Sequence, residues 1–132
     1  MSAQVIMLAS GKGGTGKSTI SASLSVAAAK QGKRILLVAL DAGLCSLDLF
    51  FHMQDRIVFD LQDVCSGRCA PADAVFAHPD YPQLSLLCAP SVDRWLHTLW
   101  LTGRLLSLRR ILYPCGMRSV FLCCFRLSAS VF

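Results

Sequence analysis

Gly11-Lys12-Gly13-Gly14-Thr15-Gly16-Lys17-Ser18 fits the pattern G-x-x-x-x-G-K-[ST], and the residue types account for the chemistry of such a loop. Glycines let the backbone turn with several N–H groups pointing inward, against phosphate oxygens, with no Cβ in the way. A lysine at position 17 sets a cation against the β- and γ-phosphates, and the hydroxyl at position 18 is an oxygen ligand for Mg2+. The helix expected to follow adds the positive end of its dipole.

The flanks agree with the loop. Val5-Ile6-Met7-Leu8 is an apolar run suited to a buried strand entering it. Residues 18–30 (STISASLSVAAAK) read as a helix leaving it, with Ile20, Leu24, Val26 and Ala27 near helical spacing. Gln31-Gly32-Lys33 is a helix stop, Gly32 being suited to the left-handed position after the last turn. Residues 34–40 (RILLVAL) are continuously apolar after Arg34, as in a strand buried on both faces of a parallel sheet. Strand, loop, helix, turn and strand make a βαβ unit of a doubly wound α/β domain. Asp41 then stands at the carboxyl end of the second strand, the edge at which such sheets bind ligands.

Lys12, directly after the first glycine, is a second lysine in the loop. Lys12-Gly13-Gly14-Thr15-Gly16-Lys17-Ser18 resembles the deviant P-loop of the MinD/ParA ATPases. Residues 40–49 (LDAGLCSLDL) are similar to that family's switch I segment. The likeness continues through residues 55–64 (DRIVFDLQDV), 66–69 (SGRC) and 84–90 (LSLLCAP), the last a third strand. It covers about the first 94 residues and points to the septum-site-determining branch rather than to ParA or the nitrogenase iron proteins.

The resemblance implies a P-loop NTPase of the α/β class with a doubly wound, mainly parallel sheet, incomplete here at its C-terminal side. It implies ATP and Mg2+ as ligands, with the nucleotide held by Gly11, Lys12, Gly13, Gly14, Thr15, Gly16, Lys17, Ser18 and Thr19. Ser18 would bind Mg2+ directly. Asp41 would reach the metal through a water and orient the attacking water, acting with Lys17 and Lys12 in ATP hydrolysis. Lys12 would cross a homodimer to the partner's phosphates. In a full-length relative, division-site regulators and the membrane surface are further partners, with the protein in the cytoplasm and peripherally on the membrane. Two departures stand out: Ala39, where many members carry an acid, and Ser46, where an Asn is common. The first bears on hydrolysis more than on binding.

At 132 residues the chain has room for one domain. No export signal is read at the start, and seven cysteines suit reduced cytosolic thiols. Cys65 and Cys69 lack nearby histidines, so no metal site is read there. The net charge of +5 belongs entirely to Arg104, Arg109, Arg110, Arg118 and Arg126, because acids and bases balance over residues 1–94. The high pI is therefore no nucleic-acid footprint of the folded part. Short helical segments are expected at residues 61–65 and 71–76, punctuated by Gly67 and Pro71. His52 and His78 fall in loops and are expected at the surface.

From Trp95 onward the composition changes. Residues 95–132 contain no Asp, Glu, Lys, Asn or Gln. The family would next supply an apolar strand ending in Asp, with a glycine shortly after, then an adenine-recognition segment and an amphipathic membrane helix. None of these is read. The chain thus divides into residues 1–94, the N-terminal part of a nucleotide-binding domain, and residues 95–132, a basic hydrophobic tail read as aberrant or frameshifted. A competing reading makes Leu101, Leu105, Leu108 and Leu112 one face of a basic membrane-surface helix, which Gly103 weakens and Pro114 ends. Residues 119–125 are apolar but too short to span a bilayer.

The leading functional reading is an ATP-dependent dimerisation switch in septum placement. Its alternatives are a ParA-like ATPase moving DNA or cargo, and a non-enzymatic fragment. The chain itself is expected to bind ATP weakly and not to hydrolyse it. With no strand pattern recognised in the tail, the strand entering the P-loop is expected to keep an open edge prone to aggregation.

Overall fold

Strand β1 (Gln4–Ser10) runs up to the glycine-rich loop, helix α1 (Lys17–Lys30) leaves it, and β2 (Ile35–Ala39) follows. The chain continues through α2 (Ser46–Phe50), a 3-10 turn (Gln54–Arg56), α3 (Leu61–Ser66), α4 (Pro71–Ala74), β3 (Phe76–Ala77), β4 (Leu84–Leu87) and β5 (Val120–Arg126). This computed structural model describes residues 4–10, 16–39, 46–88 and 120–126. The strands form one sheet of order β1-β5-β2-β4-β3, parallel throughout except that β3 runs antiparallel to β4.

Strand β2 lies between β5 and β4, and every one of its residues is buried. A run without alternation has this cause: both faces are covered, so no position tolerates a polar side chain. With Leu84, Leu86 and Leu87 of β4 and with Leu47, Met53 and Leu61 it makes the core. Each fully buried Leu or Ile there stabilises the fold by about 1.5–3 kcal/mol.

Helix α1 forms where the sequence places it, but a different face packs inward. Its buried residues are Ser21, Ala22, Ser25 and Ala29, while Ile20 and Leu24 are 53% and 43% exposed. Small side chains let the helix lie close to the sheet. The two hydroxyls are satisfied within the helix, Ser21 Oγ donating to the Lys17 carbonyl and Ser25 Oγ to the Ser21 carbonyl, each at 2.7 Å. The stop at Gly32 is as read: φ is 80°, and its N–H donates to Ala29 at 2.9 Å.

The segment around α3 is held by local caps. Asp60 accepts from the Asp63 amide at 3.0 Å, while Asp63 accepts from the Asp60 amide at 3.1 Å, a reciprocal box that starts α3. Gly67, at φ 78°, ends that helix. The first amide of α3, at Leu61, donates to the Cys88 carbonyl just past β4, which ties the helix to the sheet. Helix α4 stops at Ala74, short of the expected residue 76, because Phe76 and Ala77 pair with Leu86 and Ser85. An aromatic residue suits a pleated surface better than the end of a short helix.

Two expectations are corrected. His78 is not a surface residue; it is only 7% exposed, between Phe51 and Tyr81, with ring centroids 5.2 and 5.1 Å away. The edge-forming β3 turns back onto β4 and carries the ring inward, whereas His52 is exposed, as expected. The second correction concerns the tail, which does supply a strand. β5 pairs in parallel with β1 on one side and β2 on the other. Its sequence, Val-Phe-Leu-Cys-Cys-Phe before Arg126, is the apolar, β-branched and aromatic composition that a doubly paired central strand requires. The open edge of β1 is therefore the opposite one, since β1 ends the sheet among the described residues. Met7 on that strand is 59% exposed. The leucine stripe at residues 101–112 lies outside the described residues.

Candidate functional site

The parallel strands bring their carboxyl ends to one edge of the sheet, and the sequence-predicted residues leave from that edge. Ser10, last in β1, precedes Gly11 and is in register with Arg126, the last residue of β5. Ala39, last in β2, is two residues before Asp41 and is in register with Cys124. One strand separates β1 from β2, so these two strands run about 9.6 Å apart, two strand spacings.

Gly11, Lys12, Gly13, Gly14, Thr15 and Asp41 lie outside the described residues. Gly16, Lys17, Ser18 and Thr19 are described. Gly16 is the N-cap of α1 with φ 84° and ψ 15°, the left-handed region that glycine enters without penalty. Its carbonyl accepts from the Ile20 amide at 2.9 Å, so the first helical turn is formed. A Cβ built at Gly16 would meet nothing within 4 Å, which makes backbone conformation the reason for glycine there. Lys17 and Ser18 are half-buried at the helix start, and no acid stands in the first turn. An N-terminus with no carboxylate of its own keeps its dipole available to an outside anion. The Ser18 hydroxyl is the hard oxygen donor that Mg2+ prefers.

Elsewhere the chemistry is quiet. Among the described residues no group of three His, Cys, Asp or Glu could hold a metal ion. The half-buried Cys69 thiol is pushed up by burial, then by Asp63, Asp73 and Asp60, which keeps it protonated and a poor ligand. The Arg68–Asp63 ion pair, at 3.4 Å with Arg68 largely exposed, contributes little. No helix among the described residues is long and apolar enough to cross a membrane.

Sequence reasoning did not find Arg126 at this edge. The signal was present in residues 120–125, an unbroken apolar run rich in β-formers, but its length invited only comparison with a membrane span.

A strand, a glycine-rich loop with its last glycine left-handed, and a helix starting on Lys-Ser at the carboxyl edge of a parallel sheet define a P-loop nucleotide-binding domain. The chain belongs to the CobQ/CobB/MinD/ParA nucleotide-binding domain family, whose pattern matches residues 6–111. Septum site-determining proteins are among the proteins it is similar to. It is 41% identical over 88 residues to the septum site-determining protein MinD of Thermotoga maritima, an alignment covering 67% of this chain and 32% of that one. The MinD of Pyrococcus horikoshii, solved in complex with Mg-ADP, superposes with a TM-score of 0.72 at 28% identity, over 95% of this chain and 50% of that one. The MinC:MinD cell division complex of Aquifex aeolicus gives 0.70 at 28% identity, over 98% and 50%. The chain therefore spans about a third of the curated relative and half of the solved ones.

Proposed function

We propose that this chain binds ATP on residues 11–19 and pairs with a second copy while the nucleotide is bound, as a MinD-like switch that has lost hydrolysis. The observation that carries the binding is Gly16, left-handed at the head of a helix without first-turn acids, six positions after the last residue of a parallel strand. Lys17 neutralises the β- and γ-phosphates, the loop amides hold their oxygens, and Lys12 offers a cation to the partner's nucleotide. When bound, Mg2+ supplies charge neutralisation between the phosphates. Ser18 would hold it, and Asp41 would reach it through a water. The likeness to septum site-determining proteins and to a MinC:MinD complex supports a role in septum placement with a division-site regulator as partner, and a cytoplasmic, peripherally membrane-bound habit is part of the same proposal.

Hydrolysis is absent because the strand between β1 and β2 ends in Arg126 and carries no acid. Asp41 would orient water without a second acid from that strand. The division at residue 94 is part of the proposal: residues 1–94 carry the family's loop and switch segment, and residues 95–132 come from a changed reading frame. Reading the coding DNA past residue 94 in all three frames tests that part; an apolar run ending Asp-x-Pro-x-Gly in another frame is expected, and its absence would count against a frameshift. For the activity, the purified chain is incubated with ATP and Mg2+ while phosphate release and sedimentation are followed. ATP-dependent pairing without release above background is expected, and turnover of ATP would overturn the reading.

A further inference from the structure

Among the described residues β1 and β3 are the two edges of the sheet, and only one of them is guarded. β3 is two residues long and is followed by Pro79 and Pro82. Short length and nearby proline keep a sheet from adding a further strand. β1 has neither device: Gln4–Ser10 is seven residues long, with no proline and no charge. About three or four of its residues turn N–H and C=O together to the side away from β5. Ile6 and Leu8 are half-buried against the core, and Met7 is exposed.

Helix α1 extends the same border. The β1–α1–β2 crossover is right-handed, as parallel units are. At 3.6 residues per turn, with Ser21, Ala22, Ser25 and Ala29 toward the sheet, that hand turns Ile20, Leu24 and Ala28 to the β1 side of the helix. Ile20 and Leu24 are exposed there, whereas Val26, on the β2 side, is packed against the core.

We propose that this border is a pairing surface for a second copy of the chain, with β1 antiparallel to β1 of the other copy about a two-fold axis at Met7. The surface fits its own copy in three respects. Pairing centred on Met7 sets Ile6 opposite Leu8 of the other copy, so the core-facing side chains stay on one face of the joined sheet. The chain carries a net charge of +5 and its copies repel, yet residues 4–10 and 20–28 carry no charge, so two copies meet here without opposing like charges. A two-fold also closes both open edges at once and leaves no strand for a third copy. The phosphate-binding loops leave the carboxyl ends of the two strands and so fall at opposite ends of the pair. The contact therefore needs no nucleotide and is separate from the ATP-dependent pairing proposed above.

The test is sedimentation velocity of the full chain without nucleotide, in EDTA, from about 1 to 100 µM. It is run on the wild type, Met7→Lys, Met7→Glu and an equimolar mixture of the two variants. The wild type is expected to pass from one copy to two over this range. Each variant alone should pair at least about tenfold more weakly, because like charges then face each other at the axis, and the mixture should pair again. A thermal melt accompanies each variant. Should either Met7 variant melt early, amide exchange on the wild type decides the matter: exchange at residues 4–10 should slow severalfold between dilute and concentrated chain, and rates independent of concentration would overturn the pairing. A wild type that stays single over the whole range, a species that grows beyond two copies, or a mixture as single as its components would overturn it as well. Self-association seen only with ATP and lost in Lys12→Ala would overturn the edge contact and leave the nucleotide-dependent pairing standing.

Discussion

His78 Nδ1 accepts a hydrogen bond from the Asp80 amide at 3.1 Å, while the ring sits between Phe51 and Tyr81. An accepting Nδ1 requires that nitrogen to be unprotonated. Burial pushes the His78 pKa down, Asp80 opposes this and Arg56 adds to it, so the folded value lies below the ordinary 6.5. The unfolded chain therefore takes up a proton first as pH falls. His78 contributes its full stability above about pH 6.5 and loses it progressively below, down to the folded value. Urea melts between about pH 7.5 and 5 should show stability falling with acid, and His78→Phe should flatten that slope. An undiminished slope in the variant would assign the titration to another group.

Gly16 isolates backbone strain from packing. With open space around its Cβ position and φ at 84°, Gly16→Ala should destabilise by about 1–2 kcal/mol without any clash. The same substitution should weaken ATP binding, because relief of the strain moves the loop amides. Denaturant melts paired with ATP titration check both effects.

The small-residue face of α1 sets a contrast between two positions two residues apart, on opposite sides of the helix. Ala22 is fully buried, so Ala22→Leu should cost about 1–3 kcal/mol by overpacking against the sheet. Leu24 is 43% exposed, so Leu24→Ser should stay within about 0.5 kcal/mol of wild type. Equal losses in thermal melts would contradict the packing described for this helix.

Lys12 separates binding from pairing. Lys12→Ala should bind ATP about as well as wild type and lose ATP-dependent self-association in sedimentation. Equal loss of ATP affinity in Lys12→Ala and Lys17→Ala would assign both lysines to the same bound nucleotide.

Most of the fold's central unit was legible because its signals are local. The apolar runs of β1, β2 and β4, the stop at Gly32 and the glycine spacing of the loop each carry their reason within a few residues. What the sequence hid was non-local. The inward face of α1 is set by how closely the sheet is approached, which favours Ser21, Ala22 and Ser25 over Ile20 and Leu24. The burial of His78 depends on a two-residue strand turning back onto β4. The pairing of β5 joins residues more than eighty positions apart, and its composition alone does not say which gap in a sheet it fills. Of the candidate site, the turn at Gly16 and the start of α1 at Lys17 were readable, whereas the register of Arg126 with Ser10 was not.

The central claim is that the loop at residues 11–18 binds nucleotide, and calorimetric titration of the purified chain with ATP, alongside Lys17→Ala, tests it most directly. The account requires saturable binding of one ATP per chain in the wild type and at least a hundredfold loss, about 2.7 kcal/mol, in Lys17→Ala at an unchanged melting temperature. A wild type that takes up no ATP, or a Lys17→Ala variant that binds it equally well, would contradict the account.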